Sequence, residues 1–240
     1  MDLGLEGRVA LVTAASRGLG RASATALAAE GAHLVISARN AVALDAFAGE
    51  LAAGGTEVVT VPGDVTDPAT AAALVERALD RFGRLDVVVA NSGGPPPMGA
   101  LAVDDASVFA AVEANLLVHI RLARAALPAM RAAGWGRFCS IASSSVIQPI
   151  DALALSNIAR TGLRAWARTA AHELIGSGVT LNLACPGPHA TDRMTELGSL
   201  PSVVGDVDDF GRVVTFLCSA PASFINGTAV LIDGGTTVAL

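Results

Sequence analysis

The stretch RVALVTAASRGLG, residues 8–20, decides the fold of this 240-residue chain. It passes from an apolar run through a glycine-containing turn into a helical pattern. A turn that joins a strand to a helix directs backbone N–H groups and the positive end of the helix dipole outward, where they can hold a phosphate. The spacing, TxxxxGxG, differs from the common GxGxxG, and such glycines can also serve close packing alone. The stretch therefore predicts an α/β fold, with phosphate binding or packing as the role of its glycines.

Apolar runs rich in β-forming residues recur outward from this turn and alternate with stretches of helical spacing. The runs are RVALVT (8–13), HLVIS (33–37), EVVTV (57–61), LDVVVA (85–90), RFCSIA (137–142), VTLNLA (179–184) and TAVLI (228–232). Continuous apolar runs are typical of strands buried on both faces, and helices between them indicate a parallel sheet. Glycines at 31, 83, 134 and 176 stand where helices should end. We predict one doubly wound α/β domain over residues 1–240, with no linker and no repeat.

Composition excludes several classes of function. Hydrophobic residues make up 52% and charged residues 16%, so the chain can bury a large core. The net charge is -6 without a basic run, which argues against nucleic acid as a partner. No apolar stretch is expected to reach the ~20 residues that span a bilayer. The N-terminus does not resemble a signal peptide, so we expect a cytoplasmic protein that does not enter a membrane.

Two residue types are missing and restrict the chemistry. The chain has no tyrosine, and because all 16 basic residues are arginines it has no lysine. A mechanism that needs a tyrosine acid or a lysine amine is therefore excluded. The three cysteines, Cys139, Cys185 and Cys218, lie in apolar segments and should be reduced, packed thiols. We find no cluster of metal-ligand residues, and none is predicted.

Two arginines suggest which dinucleotide the turn would hold. Folds of this kind place an acid after the second strand to bind a ribose 2′-hydroxyl, or an arginine near a 2′-phosphate. Here the second run ends in Ala38 and Arg39, and Arg17 lies in the phosphate loop. A guanidinium pairs with phosphate in bidentate fashion, so the sequence favours NADP(H) over NAD(H). The alternative is two solvated arginines on the surface.

Taken in order, these pieces resemble the short-chain dehydrogenase/reductase family, in particular its 3-oxoacyl-ACP reductase-like members, over nearly the whole chain. The matching segments are TAASRGLG (13–20), PGDVTD with Asp64, ANSGG (90–94), VEANLLVHI with Asn115, SIASSS (140–145), PGPHAT (186–191) and LIDGG (231–235). The resemblance implies a Rossmann-type sheet of order 3-2-1-4-5-6-7, and a small carbonyl or alcohol substrate. It also implies a homodimer or homotetramer built through the helices in 104–133 and 151–175.

The resemblance also implies which residues contact the cofactor. They are Thr13, Ser16, Arg17, Gly18, Leu19, Gly20, Arg39, Asp64, Val65, Asn91, Ser92, Gly93, Arg160, Pro186, Gly187 and Thr191. Three features depart from the family pattern. Ala14 replaces the first loop glycine, Ala90 replaces the first asparagine of NNAG, and the substrate loop at about 191–210 is shortened.

The largest departure concerns the family's YxxxK motif, which aligns with Ser156 to Arg160. Ser143 precedes Ser156 by the thirteen residues that separate serine and tyrosine in the family. The resemblance thus implies that Asn115, Ser143, Ser156 and Arg160 form the catalytic group. A serine hydroxyl is a poor acid near neutral pH, while Arg160 stays protonated and can donate to ribose hydroxyls. The alternative assigns the serines to local backbone hydrogen bonds and Arg160 to an ion pair.

Other polar residues receive structural predictions. His189 is predicted to be a loop histidine that faces water, although its place beside the nicotinamide segment makes it a titratable candidate. His119 should pack on or between helices, Asp151 should cap the helix that carries Ser156, and Cys185 should be a packed thiol.

The favoured hypothesis is an NADP(H)-dependent short-chain oxidoreductase with an atypical site. One alternative is a catalytically impaired nucleotide-binding scaffold or sensor. The other is a non-redox enzyme, such as a dehydratase or isomerase, on the same fold.

Overall fold

Seven parallel strands form one twisted sheet in the computed structural model, which describes residues 1–196, 198 and 203–239. The strands are β1 (Val9–Thr13), β2 (His33–Ala38), β3 (Val58–Pro62), β4 (Val87–Ala90), β5 (Gly136–Ile141), β6 (Val179–Pro186) and β7 (Ala229–Ile232). Their order is β3-β2-β1-β4-β5-β6-β7, and every neighbouring pair is parallel. All seven predicted strands and the predicted order are confirmed.

Helices cover both faces of the sheet. They are α1 (Gly18–Ala29), α2 (Ala41–Ala53), α3 (Thr70–Phe82), α4 (Asp105–Val112), α5 (Val118–Ala132), α6 (Ala154–Glu173), α7 (Asp192–Glu196) and α8 (Val207–Leu217). One core lies between the sheet and α1, α2 and α8, with Leu27, Phe47 and Phe210 at its centre. The other lies between the sheet and α3, α5 and α6. The seven strand runs are largely apolar because both faces of the sheet are covered.

Helix ends follow the glycine prediction. Gly31, Gly83, Gly134 and Gly176 all adopt left-handed backbone angles, with φ between 65° and 80°. Glycine is favoured there because an L side chain would clash with its own backbone. The predicted cap at Asp151 is wrong: α6 begins at Ala154, and no side chain caps it. Its first amide instead donates to the carbonyl of Met98 at 3.1 Å, which ties the loop after β4 to the start of α6.

The helix that precedes β5 is continuous from Asp105 to Ala132 and contains a π-helical turn at Glu113–Leu117. Among the described residues it is the one helix long and apolar enough, by length and composition, to cross a membrane. Length and composition alone do not make this helix a membrane span, and it carries charged side chains such as Glu113, Arg121 and Arg124. Its inner face, with Leu122 and Met130, is buried in the domain core, and 33% of its most apolar window is buried.

At the amino end of the strands, far from the phosphate loop, Asp86 joins the start of β1 to the segment that precedes β4. Its carboxylate accepts hydrogen bonds from the Arg8 side chain at 2.9 Å, the Val9 amide at 3.0 Å and the Arg84 side chain at 2.7 Å. Burial alone would raise the pKa of Asp86, but these hydrogen bonds outweigh it and the pKa is lowered. These hydrogen bonds stabilise the end of the sheet opposite the phosphate loop.

Candidate active site

The turn after β1 packs tightly against the end of β4. A Cβ on Gly20 would stand 2.4 Å from the Ala14 carbonyl oxygen and 2.7 Å from Asn91 Nδ2, so only glycine fits. The Thr13 hydroxyl donates to the Asn91 carbonyl at 2.7 Å and accepts from the Asn91 amide at 2.8 Å. Thr13 and Asn91 therefore join the two strand ends that flank the loop. Ala14, where the family has glycine, is held at φ +48°.

The first turn of α1 is open to a ligand. No side chain caps this end of the helix, and Gly18 begins it with a φ of +56°. Ser16 and Leu19 flank Gly18 and are half-buried. Uncapped N–H groups at the positive end of a helix suit phosphate oxygens. Thr191, from the segment after β6, faces this turn, since a Cβ on Gly18 would lie 3.5 Å from its methyl group.

The two candidate cations for a 2′-phosphate occupy different surroundings. Arg17 is exposed and faces α7, with ion pairs to Asp192 at 3.4 Å and Glu196 at 3.7 Å. Arg39 is exposed at the end of β2 and makes no ion pair with any residue in the described part of the chain. Arg39 is thus the cation that is free to meet an anion.

Asp64 and Val65 follow β3 on the same side of the sheet as Arg39. The Asp64 carboxylate accepts from the Thr66 amide at 2.9 Å and its hydroxyl at 2.8 Å. These hydrogen bonds, with a smaller contribution from the charge of Arg39, lower the pKa of Asp64. The carboxylate is exposed and ionised, while Val65 packs against the core.

The end of β4 leaves room beside the loop. A Cβ on Gly93 would have no neighbour within 4 Å, and the buried Ser92 hydroxyl has no hydrogen-bond partner in the part of the chain that is described. Farther along, the backbone of Met98 exchanges hydrogen bonds with the residues that precede α6. An open strand end with an unpaired hydroxyl fits a ligand that carries polar groups.

Ser156 and Arg160, which the sequence resemblance aligns with the family's tyrosine and lysine, are both buried, each with 6% of its surface exposed. Arg160 Nη1 donates to the carbonyl oxygens of Ile141 at 3.0 Å and Ala142 at 2.9 Å, where β5 ends. Burial lowers the pKa of Arg160 to about 10, so the guanidinium stays charged at neutral pH. The alternative, an ion pair, is wrong for the residues that the structure describes, because the partners of Arg160 there are backbone carbonyls.

Ser143 follows β5 directly and is partly exposed. Its hydroxyl oxygen accepts from the Ser145 amide at 3.1 Å, which leaves the hydroxyl proton available to another acceptor. Ser156 lies one helical turn before Arg160 on α6, and residues four apart share a helix face. Both serines and Arg160 therefore stand at the carboxyl end of β5.

Asn115 and His119 extend this group inward. Asn115 lies in the π-helical turn and His119 one turn later, and neither is exposed. Asn115 Nδ2 is 3.4 Å from the Ala111 carbonyl, whereas its Oδ1 has no partner within the described residues. His119 Nδ1 lies 3.2 Å from the Ser140 hydroxyl on β5. The histidine thus packs against the sheet as well as between helices.

The segment after β6 closes the site from the other side. Gly187 lies against β7, since a Cβ there would come 2.6 Å from that of Asp233, and Pro186 ends β6 beside it. His189 is buried, with 5% of its surface exposed, and its ring meets Phe210 edge-on at 5.1 Å. The prediction that His189 faces water is wrong, because the ring anchors this segment over α8.

The substrate loop was predicted at about 191–210, and residues 197 and 199–202 of it lie outside the described residues. Its base is paired: the Ala190 amide donates to the Gly205 carbonyl at 3.0 Å. Arg193 on α7 reaches across to donate to the Pro95 carbonyl in the loop after β4. Its charge also contributes to lowering the pKa of Arg160. Arg193 is not among the residues predicted from the sequence. Its positive charge within the predicted substrate loop is the feature that could have pointed to it.

Comparison with known proteins identifies the family. Residues 13–237 match a family described as enoyl-(acyl carrier protein) reductase. The 3-oxoacyl-[acyl-carrier-protein] reductase of Synechocystis sp. is 32% identical over 240 residues, covering 96% of this chain and 97% of that protein. The chain belongs to the short-chain dehydrogenase/reductase family. The 3-oxoacyl-[acyl-carrier-protein] reductase of Escherichia coli (strain K12) is 31% identical and covers 97% of the chain and 98% of its own length.

A solved structure resembles this short-chain dehydrogenase/reductase along its whole length. L-Sorbose reductase from Gluconobacter frateurii, complexed with NADPH and L-sorbose, is 30% identical with a TM-score of 0.93, and each chain covers 100% of the other. The family is one of oxidoreductases that share this Rossmann-type sheet. Within it, the present chain has neither tyrosine nor lysine, so the tyrosine and lysine of the family motif are absent.

Proposed function

We propose that this short-chain dehydrogenase/reductase interconverts a small carbonyl compound and its alcohol with NADP(H). The observation that carries the proposal is the convergence of two sets of residues at one sheet edge. The first turn of α1, which has no side-chain cap, lies at the carboxyl end of β1, and Arg39, which makes no ion pair within the described residues, lies at the carboxyl end of β2. Ser143, Ser156 and Arg160 lie at the carboxyl end of β5. Ligands of open parallel sheets bind outside these strand ends.

The residues at this edge fit a dinucleotide phosphate. The N–H groups at Gly18 suit the pyrophosphate, Arg39 suits the 2′-phosphate, and the exposed Asp64 suits the adenine side. The open space at Gly93 and the unpaired hydroxyl of Ser92 suit the ribose and nicotinamide portion. When bound, the nicotinamide supplies or accepts the hydride.

The chain's own groups then handle the substrate oxygen. The free hydroxyl proton of Ser143 can be donated to a carbonyl oxygen, and the Arg160 charge stabilises negative charge that develops on that oxygen. Ser156 is a weak acid, so it passes on a proton from water rather than acting alone. Turnover should therefore be slower than with a tyrosine acid.

The test removes each hydroxyl separately. We expect Ser143→Ala and Ser156→Ala to lower kcat with a carbonyl substrate by about 10-fold or more, in the range that general acid–base groups contribute. Thr161→Ala, on the exposed side of α6, is the matched control and should keep full turnover. Full turnover in both serine variants would refute the site assignment.

A second candidate function is a nucleotide-binding scaffold or sensor. It is favoured by the two hydrogen bonds that hold Arg160 Nη1 on the carbonyls of Ile141 and Ala142. This arrangement stabilises the strand end whether or not a reaction takes place. NADPH binding without turnover over a broad carbonyl panel would support it. Conversion of substrate without any change in nicotinamide absorbance would support a dehydratase or isomerase.

We further propose that the protein is a homodimer or homotetramer joined through α5 and α6. A groove of about 570 Å³ runs between these helices, and it combines apolar and charged side chains. They include Leu127, Trp166, Arg124 and Glu173. Light scattering should give a multiple of 24.0 kDa, and a monomer mass would contradict the assignment. The cytoplasmic location expected from the sequence stays a prediction.

A further inference from the structure

Arg193 bridges the substrate loop and the loop after β4. It lies on α7, and its Nη2 donates to the carbonyl of Pro95. The side chain passes beside Gly94, because a Cβ on that glycine would lie only 3.2 Å from Arg193 Nε. Ser92 and Gly93, which the proposed function assigns to the ribose and nicotinamide portion of the cofactor, directly precede Gly94 in the chain. The guanidinium therefore lies next to the strand end at which the reaction should take place.

The guanidinium has donors left for a ligand. An arginine side chain carries five N–H donors, of which Pro95 and Glu196 engage two among the described residues. Arg193 Nη1 lies 3.3 Å from Glu196 Oε2, which is longer than the roughly 2.7–2.9 Å of a strong charge-assisted hydrogen bond. The Glu196 side chain is 48% exposed, and exposed ion pairs of this kind contribute little to stability. Another carboxylate can therefore take the place of Glu196 at little cost in free energy.

The charges around Arg193 also favour an anion. The hydrogen bonds of Arg160 go to backbone carbonyls, so no acid in the described part of the chain neutralises its charge. The positive charge of Arg193 helps to lower the pKa of Arg160, which means that the two guanidinium groups repel each other. Asp192, the acid next to Arg193 in the chain, pairs instead with Arg17 at 3.4 Å. A ligand anion near both cations would relieve this repulsion, whereas a neutral ligand would not.

We propose that Arg193 is a specificity-determining residue that binds a carboxylate of the substrate, so that the reaction interconverts a small oxo acid and its hydroxy acid. The inference rests on the proposed function and narrows its substrate class. The planar guanidinium offers two parallel N–H groups, which match the two oxygens of a carboxylate. The carboxylate is unchanged by the reaction: hydride from the nicotinamide goes to the oxo carbon, and a proton goes to the oxo oxygen.

The first test compares acids with their uncharged esters. The purified protein is assayed with NADPH and with 2-oxobutanoate, 3-oxobutanoate and 4-oxopentanoate, which place the carboxylate progressively farther from the oxo carbon, and with the methyl ester of each. At least one acid should have a kcat/KM about 10-fold or more above that of its ester, as a charge-assisted hydrogen bond can supply. Turnover of the esters without preference for any acid would overturn the inference and leave the proposed oxidoreductase function intact.

Substitution of Arg193 separates substrate binding from attachment of the loop. Arg193→Met should raise KM for the preferred acid about 10-fold or more with little change in kcat, while kcat/KM for its ester stays within about 2-fold of the parent. Arg193→Lys keeps the charge but not the two parallel N–H groups, so it should recover part of the loss. An equal fall in kcat/KM for acid and ester would mean that Arg193 only holds the loop at Pro95, and it would overturn the proposal.

Arg212→Met is the matched control. Arg212 on α8 also pairs with an acid three residues away, Asp209 at 2.6 Å, but its side chain is 71% exposed, so its loss should change neither KM. Glu196→Gln tests the exchange of carboxylates. It should lower KM for the acid and leave KM for the ester unchanged, because the substrate then has no competitor at Arg193. An unchanged or higher KM for the acid would contradict the place assigned to the substrate carboxylate.

A binding measurement tests the inference without turnover. The protein is titrated calorimetrically, with and without NADPH, with the hydroxy acids that correspond to the three oxo acids and with their methyl esters. These ligands do not react with NADPH, because both are in the reduced state. Tighter binding of an acid than of its ester, lost in Arg193→Met, would support the carboxylate site even if the proposed redox function fails. Equal binding of acids and esters, or no binding of either, would overturn the carboxylate site.

Discussion

Replacing Ala14 by glycine should stabilise the protein, although the residue lies in the loop that the proposal assigns to the cofactor. Ala14 is held at φ +48°, and its side chain is half-buried. An L-residue in the left-handed region loses about 1–2 kcal/mol relative to its preferred conformations. Glycine removes this strain but adds about 0.5–1 kcal/mol of chain entropy that folding must overcome. The net gain should be about 0.5–1 kcal/mol.

The gain is measurable by urea unfolding and by thermal melting. In a domain of this size it corresponds to an increase in Tm of about 1–3 °C. Ala152→Gly is the matched control: Ala152 stands at φ +58° outside the cofactor loop, so it should show a similar gain. Ala15→Gly is the opposite control, because Ala15 is fully buried without a positive φ and should lose about 1–2 kcal/mol.

The Kd for NADPH distinguishes the two stabilised variants. Ala14→Gly should bind NADPH at least as tightly as the parent, since the loop then turns without strain, whereas Ala152→Gly should not change the Kd. A lower free energy of unfolding in Ala14→Gly, with the expected gain in Ala152→Gly, would refute the strain argument at position 14. It would mean that contacts of the Ala14 methyl group outweigh the unfavourable backbone conformation.

Substitutions at three further residues, Asp86, Arg160 and Arg39, test separate parts of the structure. Asp86→Asn should destabilise the protein by about 2 kcal/mol at pH 7, since it leaves two partly exposed arginines without their carboxylate. The pKa of Asp86 is lowered in the folded state, so its contribution is complete above the unfolded pKa of about 3.9 and is lost as pH falls through the folded pKa. Urea unfolding from pH 7 to pH 3 should show a shallower acid loss in the variant, and an unchanged profile would contradict this. Arg160→Met should lower kcat, and it should lower the free energy of unfolding by about 1–3 kcal/mol, because two buried carbonyls lose their donor. Arg160→Lys keeps the charge and should recover part of both losses. If kcat and stability fall equally in the Met and Lys variants, the charge has no role. Arg39→Ser should raise the Kd for NADPH about 10-fold or more in a fluorescence titration without changing the Kd for NADH. The control Arg212→Ser, at an exposed arginine, should change neither Kd. If Arg39→Ser weakens the binding of both cofactors equally, Arg39 does not bind the 2′-phosphate.

Apolar pattern and glycine placement were sufficient to predict the sheet and its helices. The seven strand runs are apolar because helices cover both faces, and glycine at positions such as Gly83 and Gly134 ends helices for a local backbone reason. Such features are local in sequence, so a single chain reveals them. The register that places Ser156 and Arg160 on the family motif depended on resemblance rather than on pattern.

The surroundings of individual polar groups could not be predicted from sequence. Arg160 bonds to carbonyls from a strand about twenty residues away in the chain, and His189 is buried by Phe210 from a later helix. The cap expected at Asp151 is absent because Met98, from a distant loop, pairs with the start of α6 instead. The π-helical turn at Asn115 has no residue signature. In each case the deciding contact comes from a segment that sequence periodicity does not locate.

The central claim is that this site transfers hydride without a tyrosine. The most direct measurement incubates the purified protein with a panel of small carbonyl compounds and NADPH that carries deuterium at the transferring position of the nicotinamide. Mass spectrometry of the alcohol formed should show one deuterium bound to carbon, and the Arg39→Ser variant should form it more slowly at low NADPH. Tight binding of NADPH with no deuterated alcohol from any compound of the panel would contradict the claim and favour the scaffold function.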